Sequence, residues 1–226
     1  EEYIRTSQQL SEALSFMEAL GETSIEELSR VELYTSHEGL NLEYEAAQTR
    51  AVPRREGHFC LTTHLPWIGE RTRRLEGAHV EFFRGIQNPV GVKIGPAARG
   101  DEVERLIETL SPRNEPGKIV LITRMGAAKV EAALPPILER IKASGRRVLW
   151  ICDPMHGNTQ TLASGRKTRD YDDISKEIDR TMDVHRASGT ILGGVHFEMT
   201  GEDVTECVGG AAGITEADLD TAYGTA

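Results

Sequence analysis

The chain has 226 residues, 38% of them hydrophobic, enough to bury a sizeable core in one domain or slightly more. Acidic residues outnumber basic ones 36 to 26, for a formal charge of −10, which disfavours nucleic acid or an anionic membrane surface as principal partner. No apolar run approaches the roughly 18 residues of a membrane-spanning helix, and residues 1–30 lack a signal-peptide pattern, so a soluble, cytoplasmic protein is the expectation.

In chain order, residues 1–30 read as a helical extension, with apolar positions at Leu10, Leu14, Met17 and Leu20 and again at Ile25 and Leu28. Short strand-like stretches follow near Glu32 to Thr35 and near Val80 to Phe83. Four clearer runs come next: Val90 to Ile94, Ile119 to Thr123, Val148 to Cys152 and Ile191 to Phe197. Their near-continuous Val, Ile and Leu content suits strands buried on both faces. The segments between them read as helices. Asp101 to Leu110 places Val103, Leu106, Ile107 and Leu110 on one face and ends before Pro112. Ala127 to Lys142 is expected to break or restart at Pro135 and Pro136, with Gly145 closing it. Asp172 to His185 carries Ile174, Ile178, Met182 and Val184, and Gly189 ends it.

Lys93, Arg124, His156 and Glu198 sit at or just beyond the four clear runs, 31, 32 and then 42 residues apart. A βα repeat takes roughly 30 or more residues. Parallel α/β folds collect their chemistry at the carboxyl ends of strands, so the four are expected on one rim. The alternation predicts a (β/α)8 barrel, incomplete in this chain: residues 31–226 hold the partial barrel and residues 1–30 a flanking helical segment. Glu1 in place of Met, and the small strand count, are part of that expectation.

The polar residues divide into two chemistries. Glu70 and Arg71 in Trp67-Ile-Gly-Glu-Arg, Lys93 in Gly91-Val-Lys-Ile-Gly and Arg124 in Ile122-Thr-Arg-Met-Gly place three cations beside glycine-containing turns, which suits a phosphate- or carboxylate-bearing ligand. A lone cation at a strand end is ordinarily a solvated or salt-bridged rim residue, and the repetition is what raises the anion-site reading. His156 in Cys152-Asp-Pro-Met-His-Gly-Asn and Glu198 in His196-Phe-Glu-Met offer nitrogen and oxygen ligands to a divalent cation, although His156 reads equally as a hydrogen-bonded loop histidine. His37, His64 and His79 read as structural. Three cysteines, Cys60, Cys152 and Cys207, are an odd number without paired spacing and read as free thiols. Neither a phosphate-binding P-loop nor a Rossmann glycine fingerprint is present.

At these motifs the chain resembles the type II (plant-like) 3-deoxy-D-arabino-heptulosonate 7-phosphate (DAHP) synthases. The resemblance runs through Tyr34-Thr-Ser-His-Glu-Gly-Leu, Trp67-Ile-Gly-Glu-Arg-Thr-Arg, Gly91-Val-Lys-Ile-Gly-Pro, Leu121-Ile-Thr-Arg-Met-Gly, Trp150-Ile-Cys-Asp-Pro-Met-His-Gly-Asn-Thr, Lys167-Thr-Arg and Gly193-Gly-Val-His-Phe-Glu-Met-Thr-Gly-Glu, and so covers most of residues 31–226. It implies a barrel that condenses phosphoenolpyruvate with erythrose 4-phosphate, the first step of the shikimate pathway to aromatic amino acids. It implies a divalent metal, manganese by preference, with cobalt or zinc compatible. Glu70, Arg71, Lys93 and Arg124 would hold phosphoenolpyruvate, Lys93 would also deliver a proton, and His156 and Glu198 would ligate the metal. The family's metal site also uses an early-strand cysteine and a late aspartate, expected before Glu1 and beyond Tyr223-Gly-Thr-Ala. Cys60, Cys152 and Cys207 do not stand in for that cysteine. Lys167 and Arg169 read as solvated rather than as holders of the second phosphate. No nucleic acid or membrane partner is expected, and a homo-oligomer is. Two alternatives stay open: a related metal-dependent condensation with another aldose phosphate, and a catalytically silent fragment carrying relict site residues.

Overall fold

The computed structural model of the chain describes residues 33–224. The chain divides into two compact units, residues 1–35 and 36–226, and the second holds every described helix and strand. The helical reading of residues 1–30 lies outside the described residues.

The elements in chain order are β1 (Ser36–Glu38), α1 (Leu42–Ala47), β2 (Thr49–Ala51), β3 (His58–Cys60), β4 (Leu65–Ile68), α2 (Ala78–Arg84), β5 (Val90–Ile94), α3 (Gly100–Leu110), β6 (Ile119–Thr123), α4 (Val130–Ser144), β7 (Leu149–Cys152), β8 (Gln160–Thr161), β9 (Lys167–Asp170), α5 (Tyr171–Ala187), β10 (Leu192–Val195), β11 (Cys207–Val208) and α6 (Leu219–Ala222). Six strands form one sheet in the order β1-β4-β5-β6-β7-β10, and every neighbouring pair is parallel. Among the described residues the sheet is open, with β1 and β10 at its edges. The architecture is thus α/β with a parallel central sheet.

All four clear runs contain strands, but the run Val148 to Cys152 starts at Leu149 and the run Ile191 to Phe197 shortens to the half-exposed edge strand Leu192–Val195. Every residue of β5 and β6 is buried, as expected of strands covered on both faces. Val90, Val92 and Ile94 alternate along β5 and enter one core with Val103, Leu106, Ile107 and Leu110 of α3 and Leu134, Ile137, Leu138 and Ile141 of α4. The period of two therefore turns Gly91 and Lys93 to the opposite face.

Four local expectations change, the first being that residues 33–35 carry no strand and the strand expected near Glu32 to Thr35 lies instead at Ser36–Glu38. Val80 to Phe83 is helix, not strand: Val80 and Phe83 are both buried, three residues apart on one face of α2, while His79, Glu81 and Arg84 are polar. The strand missing from the count is β4, disguised by Pro66. Pairing with β5 begins only at Trp67, so the absent proline N–H falls where β4 is in register with His37 of β1 alone. Helix α4 runs unbroken through Pro135 and Pro136. Buried Val130, Leu134, Ile137, Leu138 and Ile141 on both sides of the prolines hold the two halves on one axis against the core. Among the described residues no helix is long and apolar enough to cross a membrane.

Candidate active site

The carboxyl ends of the parallel strands converge on a cavity of about 150 Å³. It is lined by all six residues singled out in the sequence, Glu70, Arg71, Lys93, Arg124, His156 and Glu198, together with Glu38, Trp67 and Gly69. Each follows from its strand. Glu38 ends β1, Trp67 lies in β4 and Glu70 and Arg71 in the turn after it, Lys93 is on β5, and Arg124 follows β6. His156 closes the turn after β7, and Glu198 lies three residues past β10.

At the centre is Lys93, 2% exposed, whose Nζ donates to Asp153 Oδ2 and stands 4.7 Å from the centroid of the Trp67 ring. Burial lowers the Lys93 pKa, against the opposing pull of Asp153 and Glu198, and the positive Arg124 adds to the lowering. Asp153 is fully buried. Burial alone would raise its pKa, but the His156 hydrogen bond and the Lys93 charge outweigh it and hold the carboxyl well below the usual range. Its Oδ1 accepts the N–H groups of Met155 and His156, at 3.0 and 3.1 Å.

The ionised Asp153 is an acceptor only, so the 2.7 Å contact of its Oδ2 with His156 Nδ1 places a proton there and makes Nε2 the ring nitrogen that can serve as a metal donor. That Nε2 lies 3.3 Å from Glu198 Oε2. Two donor atoms bound at about 2.1 Å to one tetrahedral ion sit about 3.4 Å apart. The pair, with a carboxylate behind the histidine, therefore fits two positions of a divalent metal site. Among the described residues no set of three or more His, Cys, Asp or Glu is arranged to hold a metal. Cys152 is not a ligand in waiting: burial pushes its thiol up to about 12, and it faces Thr181 Oγ1.

The cations differ in how they are compensated. Arg124 Nη2 donates to the His156 carbonyl at 2.6 Å, while its buried Nε has no hydrogen-bond partner among the described residues. Neither Arg71 nor Arg124 forms an ion pair with another described residue. Glu70 is already engaged. It accepts from Arg73 at 3.0 and 3.1 Å and from the Gly95 N–H at 2.6 Å, so it ties the β4 turn to the β5 turn. Arg73 in turn reaches Glu102 at 2.6 Å.

Lys167 is exposed, as read, but Arg169 is not solvated. It is 6% exposed, donates to the Met155 carbonyl at 3.0 Å and pairs with Glu206 at 2.8 Å. Glu38, Trp67 and Asp153 were missed by the sequence reading. Asp153 alone had a signal, an acid directly after an apolar strand.

The family model described as the class-II DAHP synthetase family matches residues 1–226. A phospho-2-dehydro-3-deoxyheptonate aldolase of Neurospora crassa is 46% identical over 237 residues, covering 98% of this chain and 49% of that protein. The protein of that name from Streptomyces coelicolor is 47% identical over 224 residues, covering 99% and 50%. Phospho-2-dehydro-3-deoxyheptonate aldolase AroG of Mycolicibacterium smegmatis is 44% identical over 240 residues, covering 100% and 52%. The chain spans about half the length of the curated relatives it matches.

Proposed function

Because the chain belongs to the class-II DAHP synthetase family, we propose that its pocket joins phosphoenolpyruvate to erythrose 4-phosphate, giving DAHP and inorganic phosphate. The observation that carries this reading is the meeting, in one cavity, of two arginines without acidic partners among the described residues, a buried lysine, and a histidine–glutamate pair backed by a carboxylate. The parallel sheet is read as part of a (β/α)8 barrel, residues 31–226 carrying it and residues 1–30 flanking it.

In this reading Arg71 and Arg124 neutralise the phosphate and carboxylate of phosphoenolpyruvate, and the unpartnered Nε of Arg124 gives one of its donors to an anionic oxygen. Glu70 holds the β4 and β5 turns at the spacing the ligand needs. C3 of phosphoenolpyruvate attacks the aldehyde carbon of erythrose 4-phosphate, forming the new C–C bond. The aldehyde oxygen takes up a proton, water adds at C2, and the C2–O bond to phosphate breaks. Lys93, eased toward neutrality by burial and still hydrogen-bonded to Asp153, delivers that proton. His156 and Glu198 would hold a divalent metal, manganese by preference, with cobalt or zinc compatible with the same donors. When bound, that ion polarises the aldehyde and stabilises charge on the forming alkoxide.

The test is consumption of phosphoenolpyruvate with erythrose 4-phosphate and manganese, with and without chelator, on this chain and on a version extended to the length of its relatives. Turnover abolished by chelator and lowered about 10²–10³-fold by Arg124→Ala supports the reading. An extended protein that binds phosphoenolpyruvate but leaves it intact with this acceptor overturns it in favour of another aldose phosphate.

A further inference from the structure

One carboxylate that does not line the pocket is tied to two of the turns that do, those carrying Arg124 and His156. Glu177, in α5, is wholly buried. Its Oε1 accepts the N–H groups of Met125 and Gly126, at 2.8 and 2.9 Å, directly after Arg124. Its Oε2 accepts from Asn158 Nδ2 at 2.7 Å, two residues after His156. Asn158 closes the loop: its Oδ1 accepts the Ala127 N–H at 2.8 Å, and its Nδ2 also reaches the Pro154 carbonyl at 2.8 Å.

The two turns touch through bare backbone. Gly126 has φ +86°, and a Cβ placed on Gly157 would fall 2.3 Å from the Gly126 nitrogen. On the pocket side Arg124 reaches the His156 carbonyl. Glu177 has no cationic partner among the described residues, and burial raises its pKa to about 7 against hydrogen bonds from Gly126, Met125 and Asn158 that lower it. A residue wanted only for packing α5 on the sheet would be apolar, as Ile174 and Val184 are.

We infer that Glu177 is a positioning residue for the pocket: by clamping the backbone after Arg124 and, through Asn158, the backbone after His156, it sets the distance between the anion-holding guanidinium and the metal-holding imidazole. The inference rests on the roles proposed for Arg124 and His156, and it deepens them by naming what fixes their separation.

The test compares the wild-type protein with Glu177→Gln, Asn158→Ala and Thr181→Val, reading manganese affinity, phosphoenolpyruvate affinity, thermal midpoint and amide hydrogen exchange in residues 124–127 and 153–158. Gln keeps one acceptor oxygen but turns an NH2 against Asn158 Nδ2. Thr181, one turn further along α5, is equally buried; its hydroxyl donates to the Glu177 carbonyl and faces Cys152 at the end of β7 but bonds no residue of 124–127 or 153–158, so its variant reports a disturbance of the same helix without loss of the clamp. Glu177→Gln is expected to speed exchange in both segments and weaken both affinities roughly tenfold or more. Asn158→Ala is expected to act mainly on residues 153–158 and on manganese. Thr181→Val lowers the midpoint with both affinities within about twofold of wild type.

Unchanged exchange in both segments of Glu177→Gln, or equal weakening by Thr181→Val at the same loss of midpoint, overturns the inference. A wild-type protein that binds neither probe overturns the pocket assignment instead, and exchange still decides whether the clamp exists. Should Glu177→Gln fail to fold, Asn158→Ala decides: exchange in residues 153–158 at the wild-type rate refutes the clamp.

Discussion

Asp153 serves three neighbours at once: the ammonium of Lys93, the imidazole of His156 and two backbone N–H groups. Asp153→Asn keeps its shape but leaves Lys93 buried beside a neutral amide. Removing one partner of a buried pair costs about 3–5 kcal/mol, so chemical denaturation should show a loss of that order, and the proton delivery proposed for Lys93 should fail with it. Two other buried groups set opposite pH slopes. His185, pressed against Trp150, is lowered to about 4 by burial, so its contribution to stability is present above pH 6.5 and lost as pH falls toward 4. Glu177 is raised to about 7, so its contribution is present below pH 4.5 and lost as pH rises through 7. Each is worth on the order of 3 kcal/mol. Urea midpoints between pH 4 and 8 should show His185→Phe losing less stability than wild type on acidification and Glu177→Gln losing less on alkalinisation. Lys93, Arg124, His156 and Glu198 were legible because a charge next to an apolar run breaks its pattern, whereas Glu70 and Arg71 were read from the motif Trp67-Ile-Gly-Glu-Arg, whose strand went unrecognised. Glu38 was not legible, because β1 has only three residues, and Glu177 looks like any acid on an amphipathic helix until the fold brings Met125 and Gly126 to it.

Among the elements, strands β5 and β6 could be read residue for residue because burial on both faces demands unbroken apolar composition. β4 could not, since Leu65-Pro-Trp-Ile is short and contains the residue that most argues against a central strand. Helix α4 shows the converse: two prolines mark a break in the sequence, and core packing along the helix overrides them. The turns carry the tightest constraint. Gly157→Ala would drive its methyl into the backbone of Gly126 rather than into a movable side chain. Thermal unfolding should register a loss of about 1–3 kcal/mol, with weaker binding of phosphoenolpyruvate because the Arg124 turn is displaced.

At the scale of the molecule, the alternation of strands and helices revealed the fold class, whereas the number of strands and the path of the sheet edge depend on pairings that no local pattern records. Among the described residues the sheet ends on β10, and Ile191 at 83%, Val195 at 44% and Phe197 at 43% exposure lie along or beside it. An apolar edge strand is a template for further strand pairing, opposed here by a net charge of −10. Light scattering should therefore rise with protein concentration, more steeply at high salt, and Val195→Lys should suppress it. The chain holds two tryptophans, and they report on different places. Trp150 is 5% exposed against His185, while Trp67 lines the cavity, with the Lys93 ammonium over its ring and the His196 imidazole edge-on at 5.6 Å. A cation over an indole shifts its emission, so filling the cavity with an anion that draws Lys93 away should change the intensity and colour of Trp67 alone. Titrating phosphoenolpyruvate while recording fluorescence, with Trp67→Phe as the silent control, would let the protein serve as its own optical gauge of occupancy, with no label and no turnover.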